Sequence, residues 1–127
     1  MACAFPAQRQ ETTFYDDVRL YACLADQPLV PGHSIVAWKT CVPDLHSLTR
    51  EEYEHLMSCV ERVRSALMET LRTDKVYLLY MDEVQHVHWH LIPRHSDKGL
   101  SLLCHEPSGT PDLALLPKLK ESFNPSR

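Results

Sequence analysis

The chain has no run of lysines or arginines long enough to track a polyanion, and its 127 residues carry a formal net charge of −4. That argues against an extended nucleic-acid tract as partner, whereas a small phosphorylated ligand needs only a few donors in one pocket. No apolar stretch approaches the roughly 18 residues that cross a bilayer, so no membrane partner is expected. The segment Met1 to Gln10 lacks the charged head and long apolar core of a secretory leader. Five cysteines (Cys3, Cys23, Cys41, Cys59, Cys104) are scattered and odd in number, which favours reduced thiols in a cytoplasmic protein over a disulfide framework. Internal repeats and low-complexity segments are also missing. At 44% hydrophobic and 24% charged, the sequence reads as one ordinary globular domain over 1–127.

What is present has a clear order. Phe14 to Leu24 reads as strand, with a turn at Asp16-Asp17. Gln27 to Gly32 is rich in turn residues, and His33 to Lys39 then reads as a buried strand. Thr49 followed by Glu52 forms a capping box, and Leu56, Val60, Val63, Leu67 and Leu71 make one apolar stripe behind it. A helix from about Arg50 to Arg72 follows from that pattern. Lys75 to Asp82 and His86 to Pro93 read as two strands of an antiparallel hairpin. Arg94 to Thr110 reads mainly as loop. Pro111 could open a short helix, although Pro117 in its middle weakens it, and the end from Asn124 reads as frayed.

Three of the eight histidines fall within five residues, in His86-Val87-His88-Trp89-His90-Leu91-Ile92. On a strand, alternate side chains share a face, so this spacing makes a rail of imidazoles about 6.6 Å apart, with Val87, Trp89 and Leu91 turned to the core. Three readings compete. The rail is a plain outer face, or part of a metal site, or a catalytic centre. His86 and His90 stand about 13 Å apart on an extended strand, too far for both to bind one ion. A neutral imidazole, in contrast, is a good nucleophile towards phosphorus and a good leaving group as a phosphoramidate. The central His88 has a neighbour on each side, placed to donate to phosphoryl oxygens or to protonate a leaving group. This scheme needs no metal and no other cofactor.

The run His86 to Arg94 resembles the signature of the histidine triad superfamily, His-φ-His-φ-His-φ-φ followed by Pro-Arg, with φ apolar. Pro28-Leu29-Val30-Pro31-Gly32-His33-Ser34-Ile35-Val36 is similar to its Pro-x-x-Pro-Gly-His-x-φ-φ segment, and the helix opening at Thr49 lies where the family's long helix begins. The resemblance covers residues 14–94 in order, leaving 95–127 as a C-terminal extension. It implies an α+β fold, a five-stranded antiparallel sheet with a long helix and a shorter C-terminal helix, usually paired into a homodimer. It also implies a nucleotidyl hydrolase or transferase acting on nucleoside phosphoramidates or dinucleoside polyphosphates. His88 would be the nucleophile, His86 and His90 would flank the phosphate, and His33 would order the site.

Three departures matter, two on the substrate side and one at a structural metal site. The Gly-Gln-Ser/Thr segment that many members carry before the triad is replaced here by Met81 to Gln85, with the acids Asp82 and Glu83. Gln85 either offers an amide to phosphate or is a turn residue. The ribose-contacting acid or amide of the family falls on Ala25, so Asp26 is either its substitute or an exposed turn acid. Arg94 either neutralises phosphate or caps the strand end. The structural zinc that some members hold has only Cys3, Cys41 and a histidine to draw on here, so zinc is not expected.

Overall fold

The computed structural model describes residues 5–96, 98–104, 106–107 and 109–123; Cys3, His105 and the 124–127 end lie outside the described residues. Five strands are present: β1 (Thr13–Asp16), β2 (Leu20–Leu24), β3 (Ser34–Trp38), β4 (Val76–Tyr80) and β5 (His88–Pro93). They form one sheet in the order β1-β2-β3-β5-β4, with every neighbouring pair antiparallel. Three helices accompany them: α1 (Arg50–Leu71), the four-residue α2 (Leu100–Leu103) and α3 (Leu116–Phe123). The α+β architecture expected from the sequence is the one found.

Local chemistry explains the elements. The β1–β2 turn is held by Asp17, whose carboxylate accepts the amides of Arg19 at 2.7 Å and Leu20 at 2.9 Å. At the start of α1, Thr49 Oγ1 accepts the Glu52 amide at 3.1 Å and the Glu52 carboxylate accepts the Thr49 amide at 2.9 Å. The helix buries Leu56, Val60, Val63 and Leu67 and stops at Arg72, whose backbone is left-handed at φ 55°. These side chains pack on Leu20, Ala22, Leu24, Val36, Trp38 and Leu91, alternate residues of β2, β3 and β5. One face of the sheet is thereby spent on the core. α3 packs against α1 and β1 and adds Leu116, Leu119 and Phe123.

Several expectations are corrected. The C-terminal helix starts at Leu116, not at Pro111, which places Pro117 in its first turn, where no intrahelical partner for an amide is lost. Residues Leu113–Leu115 ahead of it form a short 3-10 turn capped by Asp112. The loop expected over Arg94 to Thr110 contains α2, whose Leu102 is buried against Val30 and Ile92 on the far face of the sheet. The hairpin connection is longer than the sequence implied, because β4 ends at Tyr80 and β5 begins only at His88. Among the described cysteines, Cys23, Cys59 and Cys104 are free, but Cys41 is disulfide-bonded, against the expectation of reduced thiols throughout. Residue counts carry no information on proximity, and such a sulfur has no thiolate to offer a metal. No helix among the described residues is long and apolar enough to cross a membrane.

The turn before β3 depends on Gly32. Its φ is +88°, and a Cβ there would stand 2.6 Å from Leu71 Cδ1 and 3.2 Å from Pro93 Cγ. Gly32→Ala is therefore expected to cost about 1–3 kcal/mol of stability, read as a lower urea midpoint at unchanged slope. An unaltered midpoint would show that the turn tolerates a side chain.

Candidate active site

The sheet face opposite α1 carries the histidines, and register decides what meets there. Tyr21 on β2 pairs with Ala37 on β3, which pairs with His88 on β5; Cys23, Ile35 and His90 form the next row. Paired residues point to the same face, so His88 and His90 look out over Ala37, Ile35, Tyr21 and Cys23. Their ring centroids are 5.1 Å apart. His86 was expected on the same strand but precedes it. The intervening Val87 is tied on both sides, its amide donating to Val42 O at 2.9 Å and its carbonyl accepting from the Trp38 amide at 3.1 Å. Phe5 bridges the rings from above, stacked on His86 at 4.4 Å and tilted against His88 at 4.7 Å.

Hydrogen bonds fix which nitrogen of each ring carries the proton. The Leu29 amide donates to His33 Nδ1 at 3.0 Å. That nitrogen is an acceptor, so a neutral His33 holds its proton on Nε2. His33 Nε2 lies 2.9 Å from His90 Nδ1 and donates to it. His90 in turn must carry its own proton on Nε2. His88 is set the other way: its Nδ1 donates to the backbone carbonyl of His86 at 2.8 Å, leaving a lone pair on Nε2. His86 Nε2 donates to the carbonyl of Trp38. A nucleophilic nitrogen and a proton donor are thus set on adjacent same-face positions of one strand.

Burial favours the neutral form of His33, His86 and His90. His33, His86 and His88 are 5%, 4% and 6% exposed. Burial, with a neighbouring imidazole, lowers His33 and His90 to about 4 from the ordinary 6.5. Burial also lowers His86, against the opposing hydrogen bond to Trp38 O. Repulsion between charged imidazoles is thereby avoided at neutral pH.

A cavity of about 530 Å³ opens over this face, walled by His33, His88 and His90, by Tyr21 and Cys23, and by the segment from Phe5 to Arg9. A larger hollow of about 740 Å³ lies between α1 and α3 beside Glu61, Arg62 and Glu69, but it holds no histidine. Of the residues expected at the site, Asp26 lines the cavity, with its carboxylate 3.3 Å from Arg9 Nη1. Ala25 is buried and its amide donates to His33 O at 2.9 Å. Gln85 stands apart as an exposed turn residue at φ 60°. Arg94 also stands apart, bonded to Asp74 at 2.6 Å. Neither lines the cavity. The two acids of the altered segment keep clear as well, and Asp82 accepts the Tyr80 hydroxyl at 2.9 Å. Phe5, Tyr21, Cys23, Ile35 and Val84 were missed from the sequence. Alternation along the β2 strand pattern would have placed Tyr21 and Cys23 together, whereas nothing local to Phe5 marked it.

An antiparallel α+β sheet that presents buried, proton-ordered histidines beside a Pro-Gly-His turn defines a narrow class of protein. The family model for the HIT domain matches residues 7–97, and the chain belongs to that family. It is 33% identical over 92 residues to a bis(5'-adenosyl)-triphosphatase of Dictyostelium discoideum, covering 68% of this chain and 62% of the relative. A bis(5'-adenosyl)-triphosphatase of Saccharomyces cerevisiae is 27% identical over 103 residues, covering 76% of this chain and 50% of the relative. The chain thus spans between half and about two thirds of the length of these curated relatives. In fold it is similar to a hypothetical histidine triad nucleotide-binding protein of Sulfolobus tokodaii, with a TM-score of 0.72, 19% identity, and coverage of 88% of this chain and 83% of that one.

The neutral pair has a consequence for pH. With His33 and His90 near 4 when folded and 6.5 when unfolded, the unfolded chain binds more protons between those values. Stability from these groups is complete above about pH 6.5 and is lost as pH falls towards 4. The urea midpoint should drop across that window. The ring-proton resonances of His33 and His90 should hold their neutral positions from about pH 8 down to about pH 5. Midpoints between pH 6 and 7 would contradict the buried, neutral assignment.

Proposed function

We propose that the protein is a metal-independent nucleotidyl hydrolase or transferase, acting on dinucleoside polyphosphates or nucleoside phosphoramidates through a covalent nucleotidyl intermediate on His88. The observation that carries this reading is the proton order of the cluster: a bare Nε2 on His88 beside an N–H on His90. His88 Nε2 attacks the phosphorus, a P–N bond forms as the P–O or P–N bond to the leaving group breaks, and the leaving group departs with a proton. Water then attacks the same phosphorus and restores the free imidazole, releasing a nucleoside monophosphate. His90 donates to the phosphoryl oxygens as charge moves onto them, and His33, bonded to Leu29, holds His90 in the donating tautomer. Asp26 with Arg9 borders the substrate, His86 stays behind it, covered by Phe5 and outside the cavity wall, and Gln85 and Arg94 reach it only if their surroundings rearrange.

A catalytic unit of this kind is read as a cytoplasmic homodimer with a small-molecule nucleotide as its partner. The unpaired edge of β4 supports the pairing, since Leu78 on that strand is 41% exposed and Met81 just beyond it 48%. A second reading, a nucleotide-binding or interaction module with little turnover, draws on Phe5 lying against His86 and His88 and on the alanine at position 25.

Intact mass after incubation with diadenosine triphosphate or an adenosine phosphoramidate, quenched without acid, separates the two. The hydrolase reading expects turnover with a transient adenylyl adduct on His88, unaffected by chelators. His88→Ala should lower turnover by at least about 10⁴-fold with adenosine monophosphate affinity and folding retained. Nucleotide binding without adduct or turnover in the wild type would leave the binding module as the answer, and full activity in His88→Ala would end the covalent scheme.

A further inference from the structure

Five tyrosines stand in the chain, and four have an evident place. The hydroxyls of Tyr15 and Tyr80 donate to Asp17 and Asp82 at 3.0 and 2.9 Å, and that of Tyr77 accepts the Gly99 amide at 2.8 Å. Tyr53 is 39% exposed and opens to solvent. Tyr21 differs from all of these. It is 6% exposed, and among the described residues its hydroxyl has no hydrogen-bond partner. Nor is the oxygen sealed in the interior: among the described residues, the fully buried polar side-chain atoms without a partner are Thr70 Oγ1 and Trp89 Nε1. The space that Tyr21 borders is the cavity over His88 and His90. A phenol so deeply buried normally finds a partner, and here the open side is the side from which a ligand comes.

Its position relative to the nucleophile is also informative. Tyr21, Ala37 and His88 form one row across three strands, which sets Tyr21 two strand spacings, about 9.5 Å, from His88. Ala37 between them is fully buried, whereas Tyr21 and His88 both line the same cavity. A phosphate seated at His88 would therefore direct the rest of a nucleotide along the row towards Tyr21. Burial and the nearby Cys23, Asp26 and Asp16 push the phenol up to about 12, so the hydroxyl keeps its proton and can both donate and accept.

We propose that the Tyr21 hydroxyl is a specificity-determining contact for the nucleoside part of the substrate, taking a neutral hydrogen bond from a sugar hydroxyl or a base edge. This rests on the nucleotidyl reading of the site and adds a residue to it. Tyr21 fills a need that Ala25 leaves, since the buried alanine offers the ligand no polar side chain. A neutral contact also avoids setting another carboxylate beside the phosphate, where Asp26 already stands paired with Arg9.

The test is Tyr21→Phe, which removes one oxygen and keeps the ring. Calorimetry should show adenosine monophosphate binding weakened about three- to tenfold, with KM for diadenosine triphosphate raised by the same factor and affinity for inorganic phosphate unaltered. The variant should melt no lower than the wild type, because the lost hydroxyl had no partner in the protein. Comparing adenosine, 2'-deoxyadenosine, 3'-deoxyadenosine and inosine monophosphates locates the contacted group: wild type should lose affinity for one analogue, and Tyr21→Phe should not discriminate against it. Equal nucleotide affinity in both proteins overturns the Tyr21 contact while the nucleotidyl reading stands. So does a loss that extends equally to inorganic phosphate. A wild type that binds no adenosine monophosphate overturns both.

Discussion

The hydrogen bond from His33 to His90 is the constraint on which the rest of the site depends. It crosses from the turn before β3 to the middle of β5 at 2.9 Å, and its direction is set by one backbone amide, that of Leu29. A backbone N–H cannot accept, so His33 Nδ1 must, and the proton placement passes from ring to ring until His90 presents an N–H. For this to work, the turn must hold Leu29 and His33 together, which the Val30 carbonyl assists by accepting the His33 amide at 3.1 Å. Gly32 makes that turn possible at a backbone angle an L side chain rarely adopts.

The sheet divides labour by face. Leu20, Val36, Trp38 and Leu91 are committed to α1, and the residues between them face the other way, where His88 and His90 stand. A one-residue slip of β5 against β3 would carry His88 and His90 into the core and expel Trp89 and Leu91. The hydrophobic core therefore specifies the register of the histidines as well as stability. Burial of the imidazoles costs solvation, and the structure offsets this with backbone carbonyls: His86 O for His88 and Trp38 O for His86.

Much of this was legible in the sequence, for reasons that differ by element. The α1 helix was readable because its capping box and apolar stripe are local signals. The histidine spacing and the Pro-Gly-His turn were readable because motif and fold period coincide. The start of β5 was not, since pairing of Val87 with Val42 and Trp38 is a long-range fact. Gln85 looked like a phosphate ligand or a turn residue, and only its φ of 60° places it in the turn. Nor could composition reveal that Cys41 is bonded while three other cysteines are free. Tyr21 resembled any other β-former until its hydroxyl proved to lack a partner.

If the site turns over a nucleotide as proposed, the electrostatics of the cavity bear on how it favours reaction over binding. Arg9, the cation at the cavity wall, is already paired with Glu11 and Asp26, and burial favours the neutral form of His33 and His90. A polyanionic substrate thus meets few free positive charges in its ground state. The donor it does meet, the N–H of His90, stands in a buried setting where a hydrogen bond strengthens as charge gathers on its acceptor. Negative charge on the phosphoryl oxygens redistributes as phosphorus is transferred, so this donor is worth more in the transition state than before it. An unpaired lysine in the same place would bind substrate and transition state alike and lower KM without raising kcat. In the proposed reaction, the proton-ordered cluster would instead reserve its strongest interaction for the step assigned to His88.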